Sequence, residues 1–245
     1  LVNGIHRDFG LRRSTARVIK AALVLTNSST ISFRATALTT ARLRKIENEW
    51  DAIAQAIRVA ARSLHHFGLT QQTLTAENVI IPVATYAYHR RLAESWVTSK
   101  RSATDLEKVR KFVFRTLIRT DFWTGAIDPL LLEMRKVIVG RPRQATFPLE
   151  EITASLSTAR LAKSLAFDEA ELDRLMRTKH RDRRSTLILG AMYPEAARRY
   201  DPPDKDHVVP KAALSAASIR RAGLTPFQDQ LRQGLEELPN LCLLP

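Results

Sequence analysis

Between Leu43 and Leu64 apolar residues recur at alternating spacings of three and four: Leu43, Ile46, Trp50, Ile53, Ile57, Ala60 and Leu64. Only an α-helix gathers such positions into one stripe, because a strand would send alternate residues to opposite faces. The seam covers three heptads, the length of an internal bundle helix rather than of a coiled-coil dimer, and is expected to stop at Gly68. A helix with one apolar stripe needs other helices to cover it. Only eight glycines in 245 residues interrupt the chain, so most of it is expected to be helical.

The neighbours follow from caps and breakers. A short helix is predicted over Arg13–Leu25, ending at the turn cluster Asn27–Thr30. Thr75 is placed to cap a helix over Ala76–Leu92, in which Pro82 demands a kink or a late start. Ser102 or Thr104 would cap the next, Ser102–Arg119, with Leu106, Val109, Phe112, Val113 and Leu117 inward and Lys108, Lys111, Arg115 and Arg119 as a basic stripe outward. Asp128-Pro129 opens a helix to Val139, Gly140–Arg143 is a linker, and shorter helices are expected over Pro148–Leu161, Asp168–Met176 and Arg184–Met192. From Tyr200 the texture changes. The run Asp201–Asp206 is turn-rich, Val208-Val209 and Leu241–Leu244 are strand candidates, and a helical insertion lies between them at Leu214–Leu238.

Charge narrows the classes of partner. Lys and Arg number 39 against 25 acids, a formal charge of +14, which favours a polyanion and makes nucleic acid the leading partner class. The nearest approach to a long apolar run, Val79–Tyr88, is far shorter than a membrane span, and the opening residues lack the apolar core of a signal peptide. One cysteine, Cys242, excludes an internal disulfide framework and a multi-thiolate zinc site, and fits a reducing compartment. Any metal chemistry must then use His, Asp and Asn.

The usual phosphate-loop, dinucleotide, nucleophile-elbow and zincin motifs are absent. Five histidines, His6, His65, His66, His89 and His180, stand without an acid or second ligand at useful spacing and are assigned to surface or packing. His207 differs. It lies in Asp206-His207-Val208-Val209-Pro210-Lys211, and Asn240, in Leu238-Pro239-Asn240-Leu241-Cys242-Leu243-Leu244, follows thirty-three residues after it. Together these segments resemble the HNH, or ββα-metal, nuclease motif. Phosphodiester hydrolysis near neutral pH suits such a set, since imidazole titrates near pH 7 and a divalent cation stabilises charge on the phosphate.

The resemblance implies a mainly α protein. A helical bundle over residues 1–165, a DNA-binding or coupling region, would precede a small HNH nuclease domain over residues 166–245. It implies that Asp206 binds a divalent metal, Mg²⁺ or Mn²⁺, that His207 is the general base, and that Asn240 holds the histidine loop by hydrogen bonds. The family's third position, a His or Asn on a closing helix, would fall beyond Pro245. The chain is therefore expected to be a fragment without its last helix, and its weak metal site to draw, if at all, on Asp204. The order of segments also resembles the carboxy-terminal half of modification-dependent restriction proteins of the GmrSD and SspE kind. It runs from Ala21–Thr26 and the long helix through Ile80–Tyr86, Phe122–Gly125, Phe147–Leu149 and Leu187–Leu189 to Asp206-His207. That likeness implies a cytoplasmic bacterial antiphage endonuclease, nicking or cleaving DNA, coupled to an amino-terminal ParB-like nucleotide-hydrolysing domain whose signature this chain lacks, with oligomerisation open. Arg198, Arg199, Lys205, Lys211, Arg220 and Arg221 flank the motif as candidate phosphate contacts. The competing readings are a non-catalytic basic nucleic-acid-binding or assembly module, and a helical interaction domain without DNA affinity.

Overall fold

The run Val79–Tyr88, the most apolar in the sequence, becomes a helix buried on every side. In a computed structural model that describes residues 1–9, 11, 14–28, 31, 38–158, 163–199 and 204–244, the chain divides into two units, Leu1–Leu165 and Ala166–Pro245. The first contains α1 (Val2–Phe9), α2 (Thr15–Leu25), α3 (Thr40–Asn48), α4 (Trp50–His66), α5 (Ile80–Arg90), α6 (Ala103–Ile118), α7 (Ile127–Val139) and α8 (Leu149–Thr158). Helix α5 touches α2, α4 and α7, and every residue from Ile80 to Ala87 is buried. A helix apolar all round belongs in the middle of a bundle.

The seam helix is two helices. The backbone leaves α geometry at Glu49 (φ −106°, ψ 10°), which ends α3 and begins α4. Past the break, Ile53, Ile57, Ala60 and Leu64 are fully enclosed; Leu43 before it and Trp50 directly after it remain 42% and 40% exposed, and α3 buries nothing. The seam therefore holds for its last two heptads only. The chain turns out of α4 through Gly68 in the left-handed region (φ 76°), with the Leu69 N–H donating to Leu64 O at 3.0 Å, the six-to-one bond of a Schellman cap.

Several expected caps are replaced by other devices. Pro82 is accommodated by a late start: a 3₁₀ turn over Glu77–Val79 leads into α5, and proline as third helical residue removes an N–H with no intrahelical partner. Thr75 caps nothing; its hydroxyl donates to Leu117 O at 2.9 Å. Nor do Ser102 and Thr104 cap α6. A 3₁₀ turn over Lys100–Ser102 runs into it, and the Ser102 hydroxyl donates to the carbonyls of Ser99 and Trp96. Helix α7 begins at Ile127, one residue before Asp128, whose carboxylate meets Lys20 Nζ at 2.6 Å. Helix α1, with only Ile5 buried, was not anticipated.

The second unit holds α9 (Glu169–Met176), α10 (Arg183–Met192), α11 (Pro194–Arg199), β1 (Asp204–His207), α12 (Ala216–Arg221), α13 (Gln228–Leu235) and β2 (Leu241–Leu244). Asp168 and Asp182 cap α9 and α10, accepting from Glu171 N and Arg184 N, each at 2.8 Å. Strands β1 and β2 pair antiparallel, Asp204 opposite Leu244 and His207 opposite Leu241, and β2 packs on α10 and α11. The first strand comprises Asp204–His207, while Val208 and Val209, expected to be the strand, form an exposed bend. The protein is thus mainly helical, with one two-stranded antiparallel sheet among the described residues. No helix among these residues is long and apolar enough to cross a membrane. Residues 201–203 of the expected turn, together with Arg13, Thr30, Leu161, Tyr200 and Pro245, lie outside the described residues.

Candidate functional site

Strand alternation decides which side chains of β1 face the protein. Lys205 and His207 share the half-buried face; Asp204 and Asp206 point to solvent. The His207 side chain is only 7% exposed, whereas that of Asp206 is 61% exposed. The two neighbours still meet at the strand end, because Asp206 Oδ1 accepts from the His207 N–H at 2.7 Å and lies 3.6 Å from His207 Nδ1.

Two groups absent from the motif complete the surroundings of the imidazole. His180, in the turn before α10, stacks on His207 with ring centroids 4.9 Å apart and planes 15° from parallel. Glu236, just after α13, places Oε2 at 3.6 Å from His207 Nε2, which is buried and has no hydrogen-bond partner. Both are tied to the same framework. The His180 N–H donates to Glu236 O at 2.7 Å, and Glu236 Oε1 meets Lys211 Nζ at 2.6 Å. The Lys211 hydrogen bond, opposed by slight desolvation and joined by the charges of Lys211 and His207, holds the Glu236 carboxyl below its usual range.

Asn240 fastens the chain that leaves His207. Its Oδ1 accepts from Val209 N at 2.8 Å, and its Nδ2 donates to Val209 O at 3.2 Å and to Leu235 O at 2.9 Å; its own carbonyl accepts from Val208 N at 2.8 Å. One amide side chain thus links the β1 exit to the end of α13.

The flanking cations divide. Lys205, expected to touch phosphate, is turned inward. Its ammonium donates to Ser185 Oγ at 2.7 Å and to the carbonyls of His180 and Asp182. Burial lowers its pKa despite the Asp182 charge. Burial would also raise the Asp182 carboxyl, but the hydrogen bonds and charge of Arg184, with that of Lys205, hold it below the usual range. Lys205 is therefore part of the framework that carries His180. Lys211 pairs with Glu236 while remaining exposed, and Arg220 and Arg221 are exposed on α12. The side chains of Arg198 and Arg199 lie outside the described residues. In the first unit, Lys111 and Arg115 are exposed on α6, Lys108 reaches Glu150 and Thr146, and Arg119 leaves the stripe. Arg119 is the extended C-cap residue (φ −72°, ψ 125°), so helical spacing no longer sets its direction, and it turns to Asp121 at 3.4 Å.

The donors fit a divalent ion poorly. Asp206 offers one exposed carboxylate, Glu236 is engaged by Lys211, and Asp204 shares the solvent face two residues away; among the described residues no three His, Cys, Asp or Glu side chains are grouped to hold a metal ion. With one free carboxylate, a hard cation would have to complete its oxygen shell from water and phosphate, and the protein alone would hold it weakly. His180 and Glu236 escaped the motif reading because they meet His207 only through the tertiary fold. Comparison of the sequence with protein-family models and with curated proteins finds no match.

Proposed function

We propose that the second unit is an HNH-type DNA endonuclease domain of a bacterial restriction system and that His207 is its general base. The observation that carries this reading is the reciprocal pair of hydrogen bonds between the Asn240 amide and the Val209 backbone at the exit of the strand bearing Asp206 and His207. An antiparallel pair with Asp-His at the end of one strand and a loop-fastening Asn before the other supports the two-strand part of that motif. The chemistry follows from the neighbours of the ring. Each ring nitrogen faces a carboxylate oxygen at 3.6 Å, Glu236 Oε2 at the buried Nε2 and Asp206 Oδ1 at Nδ1; a proton held on Nε2 beside Glu236 leaves the Nδ1 lone pair as the proton acceptor. Water attacking phosphorus would give its proton to that nitrogen, and the 3′ oxygen would leave. The gap of 3.6 Å to Glu236 is longer than a hydrogen bond and must shorten when substrate binds.

Under this proposal Asp206 would be the one carboxylate to meet Mg²⁺ or Mn²⁺, which would stabilise charge on the phosphate, and the exposed cations Lys111, Arg115, Lys211, Arg220 and Arg221 contact DNA phosphates. A second reading, a basic DNA-binding module without catalysis, draws on the sparse metal-donor set. The experiment that separates them incubates supercoiled plasmid with the protein and either Mg²⁺ or Mn²⁺. Conversion to open-circle or linear DNA supports the nuclease. Intact plasmid, with retained salt-sensitive DNA binding, overturns it in favour of the module.

A further inference from the structure

The first unit contains a cavity of about 520 Å³ whose lining includes Arg90, Trp96, Ser99, Arg101, Gln144 and Thr146. Its inner wall is a closed polar network built on Asp105. One carboxylate oxygen accepts from the Tyr86 hydroxyl at 2.6 Å and from Arg90 Nη1 at 2.9 Å; the other accepts from the Phe147 N–H at 2.7 Å. Burial first, and then the bond to Asp105, raise the Tyr86 hydroxyl, so it remains a donor throughout the working pH range. The Tyr86 ring is in turn wedged edge-on between Phe147 at 5.2 Å and Trp96 at 6.3 Å. Arg90 and the indole of Trp96 are therefore both fixed before anything binds.

Asp105 is the one acid on the lining, and its charge is balanced by that of Arg90. What the cavity still offers is the charge of Arg101 and one unused donor of Arg90. Arg90 Nε is buried without a hydrogen-bond partner on a side chain only 21% exposed, and Arg101 is exposed and forms no ion pair among the described residues. A buried guanidinium N–H without an acceptor is costly, and an anionic oxygen removes that cost. An inorganic anion alone would fill a small part of such a volume and leave the Trp96 and Ala93 wall uncovered. A planar ring against the indole, joined to a phosphate between the guanidinium groups, uses both halves.

We propose that this cavity binds one nucleotide unit, with its phosphate on Arg101 and Arg90 and its base against Trp96. The same chemistry is carried by a free nucleotide and by a base drawn out of a single strand, and the two sources can be told apart. The full chain is titrated with adenosine 5′-monophosphate, adenosine, inorganic phosphate and an eight-residue oligothymidylate, with calorimetry and tryptophan fluorescence as readouts. The nucleotide should bind about tenfold or more tighter than adenosine or phosphate alone, and Arg101→Ala should cost at least about tenfold. Trp96→Leu should weaken the nucleotide while leaving phosphate unchanged. Arg101 is exposed, so an unaltered thermal midpoint certifies the variant. Oligothymidylate that displaces the nucleotide and is itself weakened by Arg101→Ala assigns the site to strand-borne bases. Oligothymidylate that does not compete assigns it to free nucleotide. No binding of the nucleotide, equal affinity for nucleotide and phosphate, or an unaffected Arg101→Ala variant overturns the proposal.

Discussion

Replacing Asn240 with Ala removes three hydrogen bonds at once, those to Val209 N, Val209 O and Leu235 O. A net bond contributes about 0.5–1.5 kcal/mol, with the lower end appropriate to the exposed Val209 pair and the middle to the half-buried Leu235 bond. The sum is about 2 kcal/mol, a change of roughly thirtyfold in the equilibrium between fastened and open loop. Amide hydrogen exchange reads this directly: the Val209 N–H should exchange roughly thirtyfold faster in the variant, while amides of α5 in the other unit keep their protection. Asn240→Asp sharpens the test. It keeps an acceptor for Val209 N but sets a carboxylate against the Val209 and Leu235 carbonyls, so at neutral pH it should rescue nothing. Unchanged Val209 exchange in Asn240→Ala, or acceleration spread evenly through both units, would refute the assignment of Asn240 as the fastener of the His207 loop.

Three further outcomes are expected. Asp105→Ala strands Arg90 and the Phe147 N–H in a buried setting, and should destabilise the first unit by about 3 kcal/mol in urea unfolding; a loss below 1 kcal/mol would show that the network is not needed. The Asp182 carboxyl is held below its usual range in the folded state, so its stabilisation is present above the ordinary carboxylate range and is lost as pH falls through the depressed value. Asp182→Asn should therefore flatten the acid limb of unfolding midpoint against pH, and an unchanged limb would contradict the shift. DNA affinity should fall linearly with salt on a log-log plot; Lys111→Ala and Arg115→Ala should each reduce the slope by about 0.9 if they touch duplex phosphates, whereas Arg119→Ala should leave it unchanged.

Periodicity made the first unit legible where burial is periodic. The positions Ile53, Ile57, Ala60 and Leu64, and the inward face of α6, lie where their spacing puts them. It failed at Leu43 and Trp50, because an a/d pattern contains no sign of the backbone break at Glu49, and at α1, where eight residues with a single buried Ile carry too little pattern. In the second unit the motif located Asp206, His207 and Asn240 but not what surrounds them. Strand period alone would have warned that Lys205 shares the inward face of His207 rather than the outward face of Asp206. No local signal links His180 to His207 across twenty-seven residues. That stack exists because Lys205 holds the His180 carbonyl and Glu236 holds the His180 N–H, both of them tertiary bonds.

The central claim is that His207 removes a proton during cleavage and contributes little to holding DNA. Its most direct test compares the native chain with His207→Ala, each purified free of contaminating nuclease, measuring plasmid nicking with Mg²⁺ or Mn²⁺ and duplex affinity at one fixed salt concentration on the same samples. The account predicts weak but metal-dependent nicking by the native chain, its loss in the variant, and affinity changed by less than about twofold, since a general base acts in the transition state. Nicking that persists in His207→Ala, or nicking and affinity lost together, would contradict it.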